Sequence, residues 1–261
     1  MLTLITTPKP LDVPANRVAF LNAIRSWVRI EPQPEILVFG GDRNLIEAEG
    51  GRWVGEFEAT ANGNPYFNSF IRTAEQLASN DILMYITDHL ILTYDVSATV
   101  QLIDARFPGP FVVVGRRWDL NLSGPLQFNT GWEDMLRQRA IHGGKYQSVG
   151  AKDYVLFRRP FPLEISPFIV GYPWYDTWMV VAAMQAEIPT IDASRAIFPI
   201  HQNHGFIQGS IQKREDTLET QHNAQLAAGM GNQGHTIHAS HVITVFDILS
   251  RERLRREEHA E

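Results

Sequence analysis

The chain contains no cysteine, which excludes disulfides, thiolate metal sites and a cysteine nucleophile. A reducing, cytoplasmic setting fits that absence. No apolar run reaches the roughly 20 residues needed to cross a bilayer, so no membrane partner is expected. The opening MLTLITTPKPLDVP is apolar but has no basic segment and meets Pro8 too early for a secretion signal. It reads as a buried strand running into a loop. Nor is there an excess of positive charge. The net charge is -6, so nothing draws the whole molecule to nucleic acid or to an anionic membrane. A local basic face built from Arg116, Arg117, Arg158, Arg159, Lys213 and Arg214 would still be compatible with DNA. What remains is ordinary globular composition: 261 residues, 44% apolar and 20% charged, enough for one large α/β domain with a real core. Nine histidines stand out, because imidazole is the commonest nitrogen ligand for metals.

Leu2–Thr6 is rich in strand formers, and Thr7-Pro8-Lys9-Pro10 is a loop, since residues before proline are pushed out of the helical region. Asn16–Ile30 carries apolar residues at helical spacing. Glu35–Phe39 is a short apolar run closed by Gly40-Gly41-Asp42. Strand, helix and strand joined by short loops make a βαβ unit and imply a parallel sheet. The pattern continues with a strand at Gly50–Val54, a helix at Phe67–Ala78 and a strand at Ile82–Ile86. A helix at Ala98–Phe107 and a strand at Phe111–Val114 follow, then a helix at Thr130–Ile141 and a strand at Tyr154–Phe157. A helix at Thr177–Ala186 precedes short strands at Pro189–Asp192 and Ala196–His201. The stretch from Gln208 to Ser240 is polar and glycine-containing, with one helix around Glu215–Ala228. No repeat or linker interrupts the chain, so a single domain over residues 1–245 is expected, with a charged tail at 246–261.

In open α/β sheets ligands bind at the carboxyl ends of the strands, and polar residues collect at those ends here. Thr6 and Thr7 follow the first strand, Asp42 the second, Thr87-Asp88-His89 the third, and Arg116, Arg117 and Asp119 the fourth. Asp and Thr also serve as helix caps and turn residues. A second group is His201-Gln202-Asn203-His204, directly after a short strand, where two histidines can converge on one ion if the chain turns. A third is Tyr172-Pro173-Trp174-Tyr175-Asp176, which sets a carboxylate among aromatic faces at a helix start. Such an aspartate is either an N-cap or a general base for a hydroxyl. Asp153, Arg158 and Arg159 flank the Tyr154–Phe157 strand, and the arginines are either surface charges or bidentate partners for a diphosphate.

With these segments in view, LITTPKP, ILVFGGD, NPYFNSFIRTAEQLASNDILMYITDHLIL, FVVVGRRWDLN, KDYVLFRR, SPFIVGYPWYDTW, PTIDAS and IHQNH, the chain resembles a known family. It is similar to the small stand-alone glycosyltransferase-like proteins of cyanobacterial and phage type, within the GT-A nucleotide-diphospho-sugar transferase superfamily. The likeness runs from Leu2 to about Asn223. It implies a mostly parallel, Rossmann-like sheet with helices on both faces. Residues 1–120 would hold the nucleotide-sugar and residues 121–245 would build the acceptor site. The resemblance puts Thr6, Thr7, Asp42, Arg72, Thr87, Asp88, Arg117, Asp119, Asp153 and Trp174 against the nucleotide-sugar. It makes Asp176 the base of the transfer. A divalent metal, Mn2+ or Mg2+, would be held among Asp88, His89, His201 and His204.

The family usually reads Asn-Ala-Asp where this chain reads Thr87-Asp88-His89, and an aspartate commonly follows HQNH where this chain has Gly205. Either His89 holds the metal, or Asp88 does after a local shift, or the metal is dispensable. An imidazole there favours manganese, cobalt or zinc over magnesium. The expected activity is transfer of a sugar from a nucleoside-diphosphate sugar to a hydroxyl on a DNA base, a glycan or a small molecule. Two rival functions fit the same residues: a non-catalytic nucleotide-sugar-binding protein that has lost its DxD, and a zinc hydrolase built on His89, His201 and His204.

Overall fold

The computed structural model describes residues 1–202, 217–230, 234–244 and 247–251. Four apolar segments form the centre of the main sheet. They are β1 (Leu2–Thr6), β2 (Glu35–Phe39), β4 (Ile82–Ile86) and β9 (Tyr154–Arg158). The rest of this sheet comprises β3 (Arg52–Val54), β6 (Val112–Val114), β10 (Thr190–Asp192), β12 (His241–Ile243) and β13 (Ile248–Ser250). The order across its nine strands is β13-β12-β10-β6-β9-β4-β1-β2-β3. Pairing is parallel except at β13 and at β9, which runs against both β4 and β6. This is the mixed, mostly parallel α/β sheet with helices on both faces that the sequence implied.

The strands are apolar throughout because both faces are covered, and side chains alternate between them. Leu4, Ile82, Met84 and Ile86 turn to one face, where they meet α1 (Pro14–Trp27) and α4 (Asp95–Arg106). Ile5, Leu83 and Tyr85 turn to the other, under α3 (Phe67–Leu77) and α6 (Tyr175–Gln185). Phe67 and Phe70 of α3 are fully buried, each removing from water an area worth about 1.5–3 kcal/mol. The helix α7 (Leu218–Leu226) follows, and Ala227 just after it packs on the same face.

A second sheet of four strands, in the order β5-β11-β7-β8, stands at the carboxyl edge of the first. It consists of β5 (Leu90–Ile91), β7 (Trp118–Leu120), β8 (Lys145–Tyr146) and β11 (Ile200–Gln202). These strands close a third apolar cluster with α5 (Trp132–Gly143), in which Ile91, Leu120, Trp132, Leu136 and Ile200 are buried. The short helix α2 (Arg43–Ala48) follows β2.

Several expected bounds move. The first helix covers Pro14–Trp27 rather than Asn16–Ile30, because proline is suited to the first helical turn. The strand expected at Ala196–His201 is β11, Ile200–Gln202. Ile248–Ser250, expected within a charged tail, pairs with β12 as an edge strand of the main sheet. Residues 252–261 lie outside the described residues.

Candidate functional site

The carboxyl ends of β1, β2 and β4 open onto a cleft of about 1280 Å³. Its rim at β2 is shaped by Gly40 and Gly41, both left-handed at φ +76° and +77°. A Cβ on Gly41 would lie 2.7 Å from Pro8 Cγ, so glycine lets the β1 and β2 loops touch. Asp42 follows, and its carboxylate accepts from the Leu45 amide at 3.1 Å as the cap of α2.

The floor of the cleft depends on the direction of β9. Running against its neighbours, β9 begins where β4 ends: Tyr154 pairs with Ile86, and the Thr87 amide donates to the Asp153 carbonyl at 3.0 Å. Asp153 therefore lands beside Asp88 and His89. The strand β11 brings in His201 through its pairing with β5. His89 Nε2 lies 3.1 Å from His201 Nδ1, and that nitrogen lies 2.6 Å from Asp153 Oδ2. These ligand atoms of His89, Asp153 and His201 are all within 4.8 Å of one another.

The cluster is well supported. Asp88 accepts from the Lys9 amide at 2.7 Å and lies 2.8 Å from His89 Nδ1. A carboxylate only accepts, so it favours the tautomer with the proton on Nδ1 and the Nε2 lone pair turned toward His201 and Asp153. That carboxylate–imidazole arrangement is the usual outer support of a metal ligand. Lys9 Nζ lies 2.9 Å from the same Nδ1 and 3.4 Å from Asp88, so it competes for this nitrogen. Burial alone would raise the pKa of Asp153, but His201, Arg117 and His89 more than offset it and hold the group well below the usual carboxylate range. Asp153 stays ionised. Two imidazoles and one carboxylate suit a divalent ion of the manganese or zinc kind, so the residues present fit the metal that the resemblance implies.

Cations surround this floor. Arg117 donates to Asp153 Oδ1 at 2.5 Å and to Asp119 Oδ1 at 2.9 Å, and Gln147 Nε2 donates to Asp119 Oδ2 at 2.6 Å. Lys152, its side chain wholly buried, lies 3.4 Å from Asp176 Oδ2 at the first turn of α6. Tyr85 and Tyr175 share a hydroxyl contact of 3.0 Å. Burial raises the pKa of both, so they remain protonated.

Behind the floor a buried amide pair joins α1 to β11. Asn22 Nδ2 donates to Gln202 Oε1 at 2.8 Å, and Gln202 Nε2 donates to the Ala19 and His89 carbonyls, each at 2.9 Å. Gln202 thus grips the backbone of one histidine while being the chain neighbour of the other.

Of the residues singled out in the sequence, Thr7, Asp42, Thr87, Asp88, His89, Arg117, Asp119, Asp153, Asp176 and His201 line this one cleft. Thr6 does not line it. It is fully buried in β1, and its hydroxyl has no partner among the described residues. Arg72 lies on the exposed face of α3, where its charge acts on Glu75. Trp174 caps α6 at a φ of 90° and is 40% exposed beside the cleft rather than in it. Arg158 and Arg159 are at the far end of β9, about 17 Å along an extended chain of five residues. There they bind Asp104 and Asp81, so the antiparallel direction removes them from any diphosphate in the cleft. His204, Lys213 and Arg214 lie outside the described residues. The sequence assigns no role to Lys9 or Lys152, although Lys152 adjoins Asp153, and it places Gln202 in the His201–His204 group without showing what its amide holds.

No protein-family model and no curated protein matches the chain. Solved structures similar to it include a glucosyl-3-phosphoglycerate synthase from Mycobacterium tuberculosis in complex with Mn2+, uridine diphosphate and phosphoglyceric acid. That likeness has 15% identity and a TM-score of 0.46, covering 88% of this chain and 78% of that one. Another is TarS 1-349 from S. aureus in complex with UDP, at 11% identity and a TM-score of 0.33. There the match spans 49% of this chain and 38% of that one. Likenesses this distant assign no activity. No helix among the described residues is long and apolar enough to cross a membrane.

Proposed function

We propose that the chain is a metal-assisted glycosyltransferase of the GT-A kind, moving a hexosyl unit from a nucleoside-diphosphate sugar to a hydroxyl acceptor. One observation carries the reading. His89, Asp153 and His201 converge at the carboxyl edge of a mostly parallel sheet, in a cleft that also holds Lys9, Arg117, Lys152 and Asp176. A divalent ion bound by His89, Asp153 and His201 would supply positive charge against the diphosphate of the leaving nucleotide. Mn2+ suits two imidazoles better than Mg2+ does. Uridine diphosphate is the donor nucleotide we assign first.

Arg117 and Lys9 offer donors to phosphate oxygens, each already oriented by an aspartate. Thr7, Asp42, Thr87, Asp88 and Asp119 line the donor side. Asp176 takes the proton of the acceptor hydroxyl as that oxygen bonds to the anomeric carbon. The bond from the anomeric carbon to the diphosphate oxygen breaks, and its electron pair leaves with the nucleoside diphosphate. Lys152 holds Asp176 in place. The acceptor is a hydroxymethylated pyrimidine in DNA, a glycan or a small molecule.

A thermal-shift panel of nucleoside-diphosphate sugars, each with and without Mn2+, tests this. A true donor at about 100 times its dissociation constant stabilises the fold by about 2.7 kcal/mol, and does so only with metal. A second reading, a zinc hydrolase, is favoured by the two-histidine, one-carboxylate set itself. It takes precedence if zinc alone raises the melting point and no nucleotide does.

A further inference from the structure

Beside the cleft, over the carboxyl ends of β6 and β10, lies a second cavity of about 620 Å³. Three guanidiniums line it, those of Arg116, Arg195 and Arg251, against the single carboxylate of Asp192. That carboxylate is already used: Oδ2 accepts from Arg251 Nη2 at 2.7 Å and Oδ1 from the Ser194 amide at 3.0 Å. Arg116 is fixed by stacking 3.8 Å over the Tyr146 ring and by donating to the Gln147 carbonyl. Neither Arg116 nor Arg195 has a carboxylate partner among the described residues. Thr236 is fully buried, and neither its hydroxyl nor the buried Arg251 Nε has a hydrogen-bond partner among the described residues.

A cavity with surplus guanidinium and idle buried donors is short of an acceptor. We propose that this pocket binds a phosphate group, separately from the diphosphate cleft. Arg116, Arg195 and Arg251, which follow β6, β10 and β13, supply charge-assisted donors, and Thr236 Oγ1 adds a neutral one. Four donor groups carried on separate segments suit the several oxygens of a phosphate better than the two coplanar oxygens of a carboxylate. The phosphate is either the free ion or a monoester carried by a metabolite. The site stands on its own side chains and does not depend on the transferase reading.

The test is calorimetric titration of the whole chain with inorganic phosphate and, separately, with ethyl phosphate, in the absence of nucleotide. Saturable binding of either is expected, and the tighter of the two identifies the source. Arg195→Gln, at an exposed position, weakens that binding about tenfold, as loss of one charge-assisted donor does. Thr236→Val keeps the side-chain shape and removes a hydroxyl that has no partner among the described residues. It melts no lower than the parent without phosphate, yet loses the phosphate-induced shift. Absence of saturable binding by the parent overturns the proposal, and so does unchanged binding in both variants.

Discussion

Replacing Gln202 with leucine separates positioning from simple packing. Gln202 is 1% exposed, and its amide joins Asn22 of α1 to the carbonyl of His89. Leucine fills similar space and makes none of these bonds. The Ala19 carbonyl lies within a helix and keeps its helical partner. One group is left unpaired, an N–H of Asn22, because the His89 carbonyl keeps the backbone amide of residue 202 at 3.5 Å. At about 1–3 kcal/mol for a buried group left unpaired, and with some return from the added apolar surface, the loss is about 1–2 kcal/mol. Loosening a residue that orients a metal ligand typically costs about 10–100-fold in metal affinity. Urea denaturation measures the first quantity, and calorimetric titration with Mn2+ under conditions where the variant is folded measures the second. If Gln202→Leu loses stability but binds Mn2+ as tightly as the parent, the amide pair is structural only and the positioning argument fails. A stability loss below about 0.5 kcal/mol, the range of unremarkable surface changes, would refute the hydrogen-bond reasoning itself.

Two further predictions use other residues. Asp176→Asn keeps the shape of the cleft and removes the proton acceptor, so transfer falls about 10²–10⁴-fold while nucleotide binding is retained. Equal loss of both in a radiolabelled-donor assay would place Asp176 in binding rather than proton transfer. His241 is half-buried edge-on to Phe107, with ring centroids 5.2 Å apart, and burial pushes its pKa below the ordinary 6.5. The unfolded chain therefore takes up this proton first as pH falls. The contribution is present above the unfolded value and is lost as pH drops through the folded one. His241→Gln should flatten part of the stability loss between about pH 7 and 5. Urea midpoints at the two ends check it, and an unchanged slope contradicts it.

The central strands were legible because burial on both faces writes them as unbroken apolar runs with polar punctuation. Leu2–Thr6, Glu35–Phe39 and Ile82–Ile86 form as read. The strands Leu90–Ile91 and Trp118–Leu120 were missed because two or three residues carry no period. Nothing in the composition of Tyr154–Arg158 states that it runs against its neighbours, yet this one direction decides the site. It carries Asp153 to the metal-competent cluster and sends Arg158 and Arg159 to the opposite edge. A local pattern gives the residues at each strand end. Pairing across 48 positions between Asp153 and His201 and 112 between His89 and His201 is set by the whole sheet. The amide pair of Asn22 and Gln202, 180 positions apart, was hidden for the same reason.

A metal-held diphosphate is tested by titrating uridine diphosphate into the protein with and without Mn2+, for the parent and for His201→Ala. Binding by the parent is expected only when Mn2+ is present, with its loss in the variant. Binding that ignores the metal, or that survives loss of His201 unchanged, would contradict a metal-held diphosphate at His89, Asp153 and His201.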